Sequence, residues 1–445
     1  MHRLAAILAA LGSSAAALVT VPFQRATGLS ASSSGADDVP LLNLADSAYY
    51  ATVSVGTPPQ PFTVLIDTGS AVLWLGSNRC NQLGNCNDAH SFDPSKSSTF
   101  KDASNGAATA IQYNQGTIKG TLSTDTVSFG DHTVQGQEFL LVSSEDSVIQ
   151  QGQAQLTDGL IGFAWENGDK GSSDYYPTVI GNLIAQGLIS QPVFSLSITH
   201  AQDSSGLGQG GGQLILGGVD ASLYSGRIYM YPVVNSYFWA VALNGVYVAD
   251  GALALPSGTQ AVFDSGTSVL QMDATFLTSQ LLPAIYAVTG NRMGRVDRTS
   301  GLYTIACSAA QSAPDISFEF GDGILYSISA ADYIILIGRS TCAVGIMGSS
   351  TQSASNLWIL GDVFLRRHYS VYDYGSSLDL SSGKGPSVGL ASTKTPTRNV
   401  TVETGIAGSS NSGQYPAGNA RSEALSAKSW NVGTLTIIFG SFLAF

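Results

Sequence analysis

The chain has 445 residues, which is long enough for two domains with complete hydrophobic cores. Hydrophobic residues make up 44% of the chain, a share that excludes disorder throughout. Only 11% of the residues are charged and the net charge is -12, so nucleic acid is not expected as a partner.

The N-terminal end is typical of a secretory signal peptide. A short basic start precedes an apolar run, and Ala15-Ala16-Ala17 forms an A-x-A cleavage pattern. We predict a signal peptide at residues 1–17 and a short propeptide or N-terminal segment at residues 18–45. The alternative is a buried N-terminal helix, although such a helix would lack a polar face.

The middle of the chain is dominated by short segments rich in Val, Ile, Tyr and Phe that end in Gly, Pro or Asn, as strands do. These segments are AYYATVSVG, PFTVLID, VFSLSI, GQLILGG, GRIYMYPVV, WAVALNGVYV and HYSVYDY. Helical periodicity is clearest in the segments that begin at Pro177 and Asp273. The pattern predicts an all-β architecture with a few short helices.

Two aspartates occupy matching positions in the two halves of the chain. Asp67 lies in FTVLIDTGSAVLWLG and Asp264 lies in AVFDSGTSVLQM, so each follows apolar residues and precedes a hydroxyl-Gly-hydroxyl turn. A carboxylate that directly follows a buried strand loses hydration, which is unfavourable in free energy unless other groups stabilise the charge or the protein uses it chemically.

The similarity between the halves extends beyond the aspartates. LIG ends at Gly162, 95 residues after Asp67, and ILG ends at Gly361, 97 residues after Asp264. Two patterns in the same order at nearly equal spacing predict two related lobes, each built around one Asp turn. The predicted lobes are residues 46–230 and 231–392.

If the lobes face each other with approximate two-fold symmetry, Asp67 and Asp264 meet at the axis. Two carboxyl groups at such a short distance share one proton. The pair can then act as a general base towards a water and as a general acid towards an amide. We expect Gly69 and Gly266 to allow the tight turns. Ser70 and Thr267 should donate to the outer carboxyl oxygens, and Thr68 and Ser265 should brace the two turns against each other.

Secretion makes the four cysteines candidates for two disulfides, with three possible connectivities. We favour Cys80 with Cys86 and Cys307 with Cys342, because each bridge then stays within one half of the chain. Neither pair has zinc-ligand spacing and no histidine cluster accompanies them, so we expect no metal and no cofactor.

The C-terminal end carries features of cell-surface attachment. Residues 393–429 form a predicted Ser/Thr-rich stalk, with an N-glycosylation sequon at Asn399. Small residues, a polar spacer and the apolar tail at 430–445 match a signal for a glycosylphosphatidylinositol (GPI) anchor, attached at Gly418 or Asn419. The alternatives are a single membrane span and a soluble enzyme whose tail packs on itself.

Taken together, the Asp turns and the LIG and ILG elements resemble those of the pepsin-like aspartic proteases, over Tyr49–Ala391. The resemblance implies a bilobal β fold with the active site between the lobes. Trp74 matches the tryptophan that follows the first Asp turn in this family. The low charge and the Ser/Thr stalk are similar to those of fungal, GPI-anchored members.

The segment IQYNQGTIKGTLSTDTV resembles the hairpin flap of this family, which implies that Tyr113 is the flap tyrosine and that Gln115 and Gly116 contact substrate. Asn114 and Gln115 replace the first glycine of the usual Tyr-Gly-x-Gly flap and its neighbour. This flap therefore lacks an acidic partner for lysine at the Gln115 position.

The resemblance implies a monomeric acid endopeptidase that acts on polypeptides and prefers large apolar residues beside the cut. We expect it in the secretory pathway, on the extracellular face of the plasma membrane or in the cell wall, or else secreted in soluble form or vacuolar. The alternative function is a catalytically silent binding protein with the same fold.

Overall fold

A computed structural model shows a protein built mainly of β-strands, which form five sheets within the described residues. The residues that the structure describes are 19–22, 24–25, 48–86, 90–113, 116–146, 157–164, 177–189, 191–200, 211–290, 293–321, 323–337, 341–349, 356–375 and 385–394. Short helices connect the sheets, so the predicted all-β architecture with few helices is confirmed.

A six-stranded sheet joins the two halves of the chain. In hydrogen-bonding order its strands are β1 (Val19–Pro22), β12 (Gly212–Leu216), β11 (Val193–Ile198), β26 (His368–Asp373), β27 (Ser387–Thr393) and β13 (Tyr224–Pro232). Strands β11 and β26 pair across the two halves, with Phe194 opposite Tyr372. β1 lies within the predicted N-terminal segment and pairs antiparallel with β12. The predicted boundary between residues 230 and 231 falls within β13, a strand of this shared sheet.

A nine-stranded sheet carries most of the N-terminal half. Its main path is β2 (Gln24–Arg25), β3 (Tyr49–Val55), β4 (Gln60–Asp67), β10 (Gly159–Gly162), β5 (Trp74–Gly76), β9 (His132–Glu145), β8 (Gly116–Phe129) and β6 (Lys101–Asp102). The ninth strand, β7 (Ala108–Tyr113), pairs with β8 alone and forms a hairpin with it.

Three smaller sheets contain the remaining described strands of the C-terminal half. The first has the order β14 (Ala240–Ala242), β17 (Gln260–Phe263), β25 (Leu357–Leu360), β18 (Leu270–Asp273) and β24 (Ile346–Ser349). The second has the order β16 (Gly251–Ala252), β15 (Gly245–Val248), β20 (Ile316–Glu319) and β21 (Leu325–Ile328). The third has the order β19 (Thr304–Ile305), β23 (Cys342–Val344) and β22 (Ile334–Leu336). The segment WAVALNGVYV, predicted as one strand, is two strands in different sheets.

Both predicted helical segments are helical, and side chains cap them. Thr178 Oγ1 accepts from Gly181 N at 2.9 Å, and Asp273 Oδ1 accepts from Phe276 N at 2.7 Å. The second segment ends at Gly290, whose φ of +66° is a left-handed conformation that glycine adopts at no steric cost. The helices and helical turns are Asn78–Gln82, Pro94–Lys96, Val179–Ala185, Ala274–Phe276, Leu277–Leu281, Leu282–Thr289, Cys307–Gln311, Ala330–Tyr333 and Asp362–Leu365.

Aromatic side chains pack across the junction of the two halves. Phe194 stacks on Tyr372 with ring centroids 4.6 Å apart, and it also contacts Phe163 and Trp239 at 5.3 and 5.9 Å. The indole nitrogen of Trp239 donates to the Phe163 carbonyl at 2.8 Å. Because packed protein interiors are dense and hardly compressible, this cluster fixes the position of one half relative to the other.

Two disulfides are present, and they have the predicted pairing. Cys80 and Cys86 bridge a short helix to the turn after it, with Cα atoms 5.3 Å apart. Cys307 and Cys342 join a helical turn to β23, with Cα atoms 5.1 Å apart.

Several predicted features lie outside the described residues. They are the signal peptide at 1–17, Gln115, the sequon at Asn399, the anchor positions Gly418 and Asn419, and nearly all of the stalk and tail. In the part of the chain that is described, no helix has the length and apolarity needed to cross a membrane.

Candidate active site

Each candidate catalytic aspartate follows a strand that pairs with the repeated LIG or ILG element. Asp67 ends β4, and β10 runs parallel to β4 with Gly162 opposite Asp67. Asp264 comes directly after β17, and β25 runs parallel to β17 with Leu360 opposite Phe263. β10 lies between β4 and β5, as β25 lies between β17 and β18, so the two halves use one topology.

The glycine of each repeated element allows the chain to pass close behind an Asp turn. A Cβ added to Gly162 would lie 2.6 Å from Val72 N, and one added to Gly361 would lie 2.9 Å from Thr267 C. Cβ atoms do not approach backbone atoms this closely, so only glycine fits either position. This steric requirement explains why the repeated element ends in glycine in both halves.

The hydrogen bonds to the two carboxyl groups are arranged alike. Gly69 N and Gly266 N donate to the Oδ1 atoms of Asp67 and Asp264, each at 2.8 Å. Ser70 Oγ donates to Asp67 Oδ2, and Thr267 Oγ1 donates to Asp264 Oδ2 at 2.5 Å. Each carboxyl group is thus held in one orientation by its own turn.

Thr68 and Ser265 connect the two turns through reciprocal hydrogen bonds. Thr68 Oγ1 donates to Phe263 O at 2.8 Å and accepts from Ser265 N at 2.9 Å. In the same way, Ser265 Oγ donates to Ile66 O at 2.8 Å and accepts from Thr68 N at 3.1 Å. Both side chains are buried, so these bonds are shielded from competition by water.

The two candidate acids lie next to each other and are fully buried. A Cβ added to Gly69 would lie 2.5 Å from Asp264 Oδ1, and one added to Gly266 would lie 2.7 Å from Asp67 Cγ. Each turn therefore packs against the carboxyl group of the other. Burial raises the pKa of Asp67 well above its usual range, and the neighbouring Asp264 raises that pKa further.

The β7–β8 hairpin brings Tyr113 to the candidate acids. Tyr113 is the last residue of β7, stands opposite Gly116 in the hairpin and is fully buried. Burial and the Asp67 carboxyl group raise the pKa of Tyr113, while the neighbouring Trp74 and Ser70 side chains lower it. The structure thus brings Tyr113 and Trp74 to the Asp67 turn.

Some residues at the site were not found from the sequence. Asp146 holds the hairpin beside its turn, because its Oδ2 accepts from Thr117 N at 2.6 Å and its own N–H donates to Thr117 O at 3.0 Å. Asp362, which directly follows ILG, is buried, and its N–H donates to Thr267 O at 2.8 Å. The position after ILG was a usable signal for Asp362, whereas no local pattern points to Asp146.

The hydrogen bonds of Thr68 lead to a stability prediction. Thr68→Val is expected to lower the free energy of unfolding by about 2–5 kcal/mol, because Ser265 N and Phe263 O would be buried without their partner. Thr68→Ser keeps the hydroxyl and should cost only about 1 kcal/mol, the value of one methyl group. Urea unfolding measures both variants, and equal losses would contradict the assigned role of the hydroxyl.

Comparisons with known proteins show to which family the chain is similar. A family model described as "Eukaryotic aspartyl protease" matches residues 48–380. Gastricsin from Homo sapiens is 35% identical over 335 residues, which cover 75% of this chain and 80% of the human protein. Cathepsin E from Aquarana catesbeiana is 35% identical over 340 residues, which cover 76% of this chain and 80% of that protein. These matches confirm the predicted pepsin-like fold.

Proposed function

Because the chain belongs to the eukaryotic aspartyl protease family, we propose that it is an acid endopeptidase whose catalytic pair is Asp67 and Asp264. Family membership confirms the predicted enzyme class and makes polypeptides the substrates. The observation that supports the assignment of the pair is their adjacency: two buried carboxyl groups, each held by its own turn, with a raised pKa at Asp67.

In the proposed reaction, the pair holds one proton between its two carboxyl groups. The ionised group accepts a proton from the attacking water while the protonated group donates a hydrogen bond to the scissile carbonyl oxygen. The water oxygen bonds to the carbonyl carbon, the C–N bond then breaks, and the leaving nitrogen receives a proton from the pair. Holding the reacting groups in fixed orientations contributes to the rate, and the paired turns supply that rigidity.

The β7–β8 hairpin acts as the flap in this proposal. Tyr113, Gln115 and Gly116 contact the substrate from the flap, and Trp74 supports Tyr113 from the Asp67 side. Asp146 binds the flap at Thr117, next to its turn, so this contact supports the flap close to Tyr113 and Gly116.

A direct test of this function is the binding of pepstatin, an inhibitor of aspartic proteases. The purified protein should bind pepstatin at acid pH, and Asp264→Asn should weaken binding by at least about tenfold, because a charged or protonated partner is lost. A protein that binds peptides at acid pH but neither binds pepstatin nor cuts any peptide would instead be a catalytically silent binding protein.

We expect cleavage beside large apolar residues and little cleavage beside lysine. Gln115, which stands at the flap position where some relatives have an acid, offers no countercharge. A lysine in an apolar pocket without a countercharge is unfavourable by several kcal/mol. Profiling with a peptide library measures the preference, and strong selection of lysine or arginine would contradict it. Gln115→Glu should then raise cleavage after lysine relative to the parent enzyme.

We also propose export and attachment through a GPI anchor at Gly418 or Asn419 in the mature, Asn399-glycosylated protein. The support is the order of small residues, polar spacer and apolar tail in the sequence. Phosphatidylinositol-specific phospholipase C should release the protein from intact cells. A membrane-bound form that resists the lipase and retains Phe445 would show an ordinary membrane span instead.

A further inference from the structure

A cavity of about 460 Å³ lies between the sheet that joins the two halves and a neighbouring sheet. Strands β13 and β27 line one side, and β21 lines the other. β13 and β21 are both edge strands of their sheets. None of the residues of the Asp turns or of the flap lines this cavity, so it is separate from the candidate active site.

Positive charge is concentrated at this cavity. Arg227 and Arg367 both line it, whereas no aspartate or glutamate is among the described residues that do. The whole chain has only 19 lysines and arginines against 31 acids, so two arginines around one cavity depart from the general charge balance. Arg367 forms an ion pair with Asp332, so among the described residues the unpaired positive charge at the cavity is that of Arg227.

Arg367 is held in place by a buried acid. Its Nε lies 3.3 Å from Asp332 Oδ2, and the Asp332 side chain is only 2% exposed. Asp332 is fixed in turn by Ser329, whose N–H and Oγ donate to it at 2.8 and 2.6 Å, and by His200 at 3.2 Å. A guanidinium group held through one edge keeps its remaining N–H donors for a second, planar or forked partner.

Arg227 reaches the cavity because β13 is irregular at this point. The pairing of β13 with β27 shifts register between Ser225 and Tyr229, and Gly226 has a φ of +78°. Such bulges redirect side chains. The Arg227 guanidinium carbon lies 5.3 Å from the centre of the Tyr229 ring, and no described carboxylate forms an ion pair with it.

Neutral donors complete the cavity wall. His368, which is buried with an exposed fraction of 6%, lines the cavity and forms a hydrogen bond with the backbone of Ser327. Burial, reinforced by the positive charge of Arg367, lowers the pKa of His368 to about 3, so the ring is neutral and adds no charge to the cavity. Ser392, which also lines the cavity, stands opposite both His368 and Ser225 in the sheet.

We propose that this cavity is a binding site for a phosphate or sulfate ester carried on a small polar molecule of about the size of one sugar. Two guanidinium groups and the serine hydroxyls offer more donors than the two oxygens of a carboxylate can use, whereas a tetrahedral oxyanion has enough acceptors. The volume falls within the usual range of small-molecule sites. The proposal is independent of the peptidase activity.

Isothermal titration calorimetry of the full-length protein tests this site with glucose 6-phosphate and glucose 6-sulfate as probes. Both esters should bind, while glucose should not, and raising the salt concentration should weaken binding. Arg227→Gln should weaken the binding of both esters by at least about tenfold, because one charged donor is lost. Arg227 is exposed, so its replacement leaves the core intact, and peptidase activity should be unchanged.

Arg298→Gln is the matched control, because Arg298 is exposed and does not line the cavity. It should leave the affinity for both esters at the parent value. The proposal is overturned if neither ester binds, if glucose binds as well as its esters, or if Arg298→Gln weakens binding as much as Arg227→Gln. Binding of inorganic phosphate without binding of either ester would also overturn it.

Discussion

Asp67→Asn and Asp264→Asn should each lower kcat by roughly 1,000-fold or more on a peptide with an apolar cleavage site. Asparagine keeps an acceptor for the N–H of Gly69 or Gly266 but can neither accept nor supply the shared proton. Because each carboxyl group provides a protonation state that the other lacks, either replacement alone should remove the activity. Initial-rate measurements at acid pH determine the loss.

The matched control is Asp250→Asn, which changes an exposed aspartate in a turn. This variant should keep the parent kcat and KM. Circular dichroism of the two catalytic variants should match that of the parent, since the turns and the bonds between Thr68 and Ser265 remain. Appreciable acid proteolysis by either catalytic variant would contradict the assignment of the pair.

The folded protein should lose stability as the pH rises from about 4 towards neutrality. The pKa of Asp67 is raised in the folded state by burial and by Asp264, so the folded protein binds protons that the unfolded chain has already released. The stabilisation that this bound proton provides is complete at pH values below the pKa of Asp67 in the unfolded chain. It is lost as the pH rises through the pKa of Asp67 in the folded protein. Each unit of such a shift corresponds to about 1.4 kcal/mol.

Replacing Asp67 by asparagine removes that titration. We expect Asp67→Asn to unfold at a temperature equal to or above that of the parent protein at neutral pH, with a shallower dependence on pH. Thermal unfolding of both proteins from about pH 4 to about pH 7 measures the difference. A neutral-pH melting temperature well below that of the parent would show that the Asp67 charge stabilises the fold.

The sequence was informative wherever a short segment determines its own local structure. The Asp turns could be located because apolar strand, aspartate and hydroxyl-Gly-hydroxyl are adjacent in the chain, and Gly162 and Gly361 have steric reasons to recur. Both helical segments were predicted from periodicity within one short segment, and in the structure Thr178 and Asp273 cap the first turns. The second copy of the pattern then indicated which acids would come together.

Features that depend on distant parts of the chain could not be predicted. The six-stranded sheet pairs β11 with β26 across more than 160 residues, and nothing in either segment specifies its partner. The division of WAVALNGVYV between two sheets follows from tertiary packing rather than from its composition. Asp146 and the Arg227–Arg367 cavity likewise arise from contacts that have no local periodicity.

The most direct test of the central claim is the dependence of kcat/KM on pH for the purified mature enzyme, from about pH 2 to about pH 8. A pair that must hold one proton gives a rate that falls on both sides of an acid optimum, as the pair becomes fully protonated or fully ionised. We predict such a profile, with negligible activity at neutral pH while the protein is still folded by circular dichroism. A rate that stays level through neutral pH would contradict a shared proton between Asp67 and Asp264.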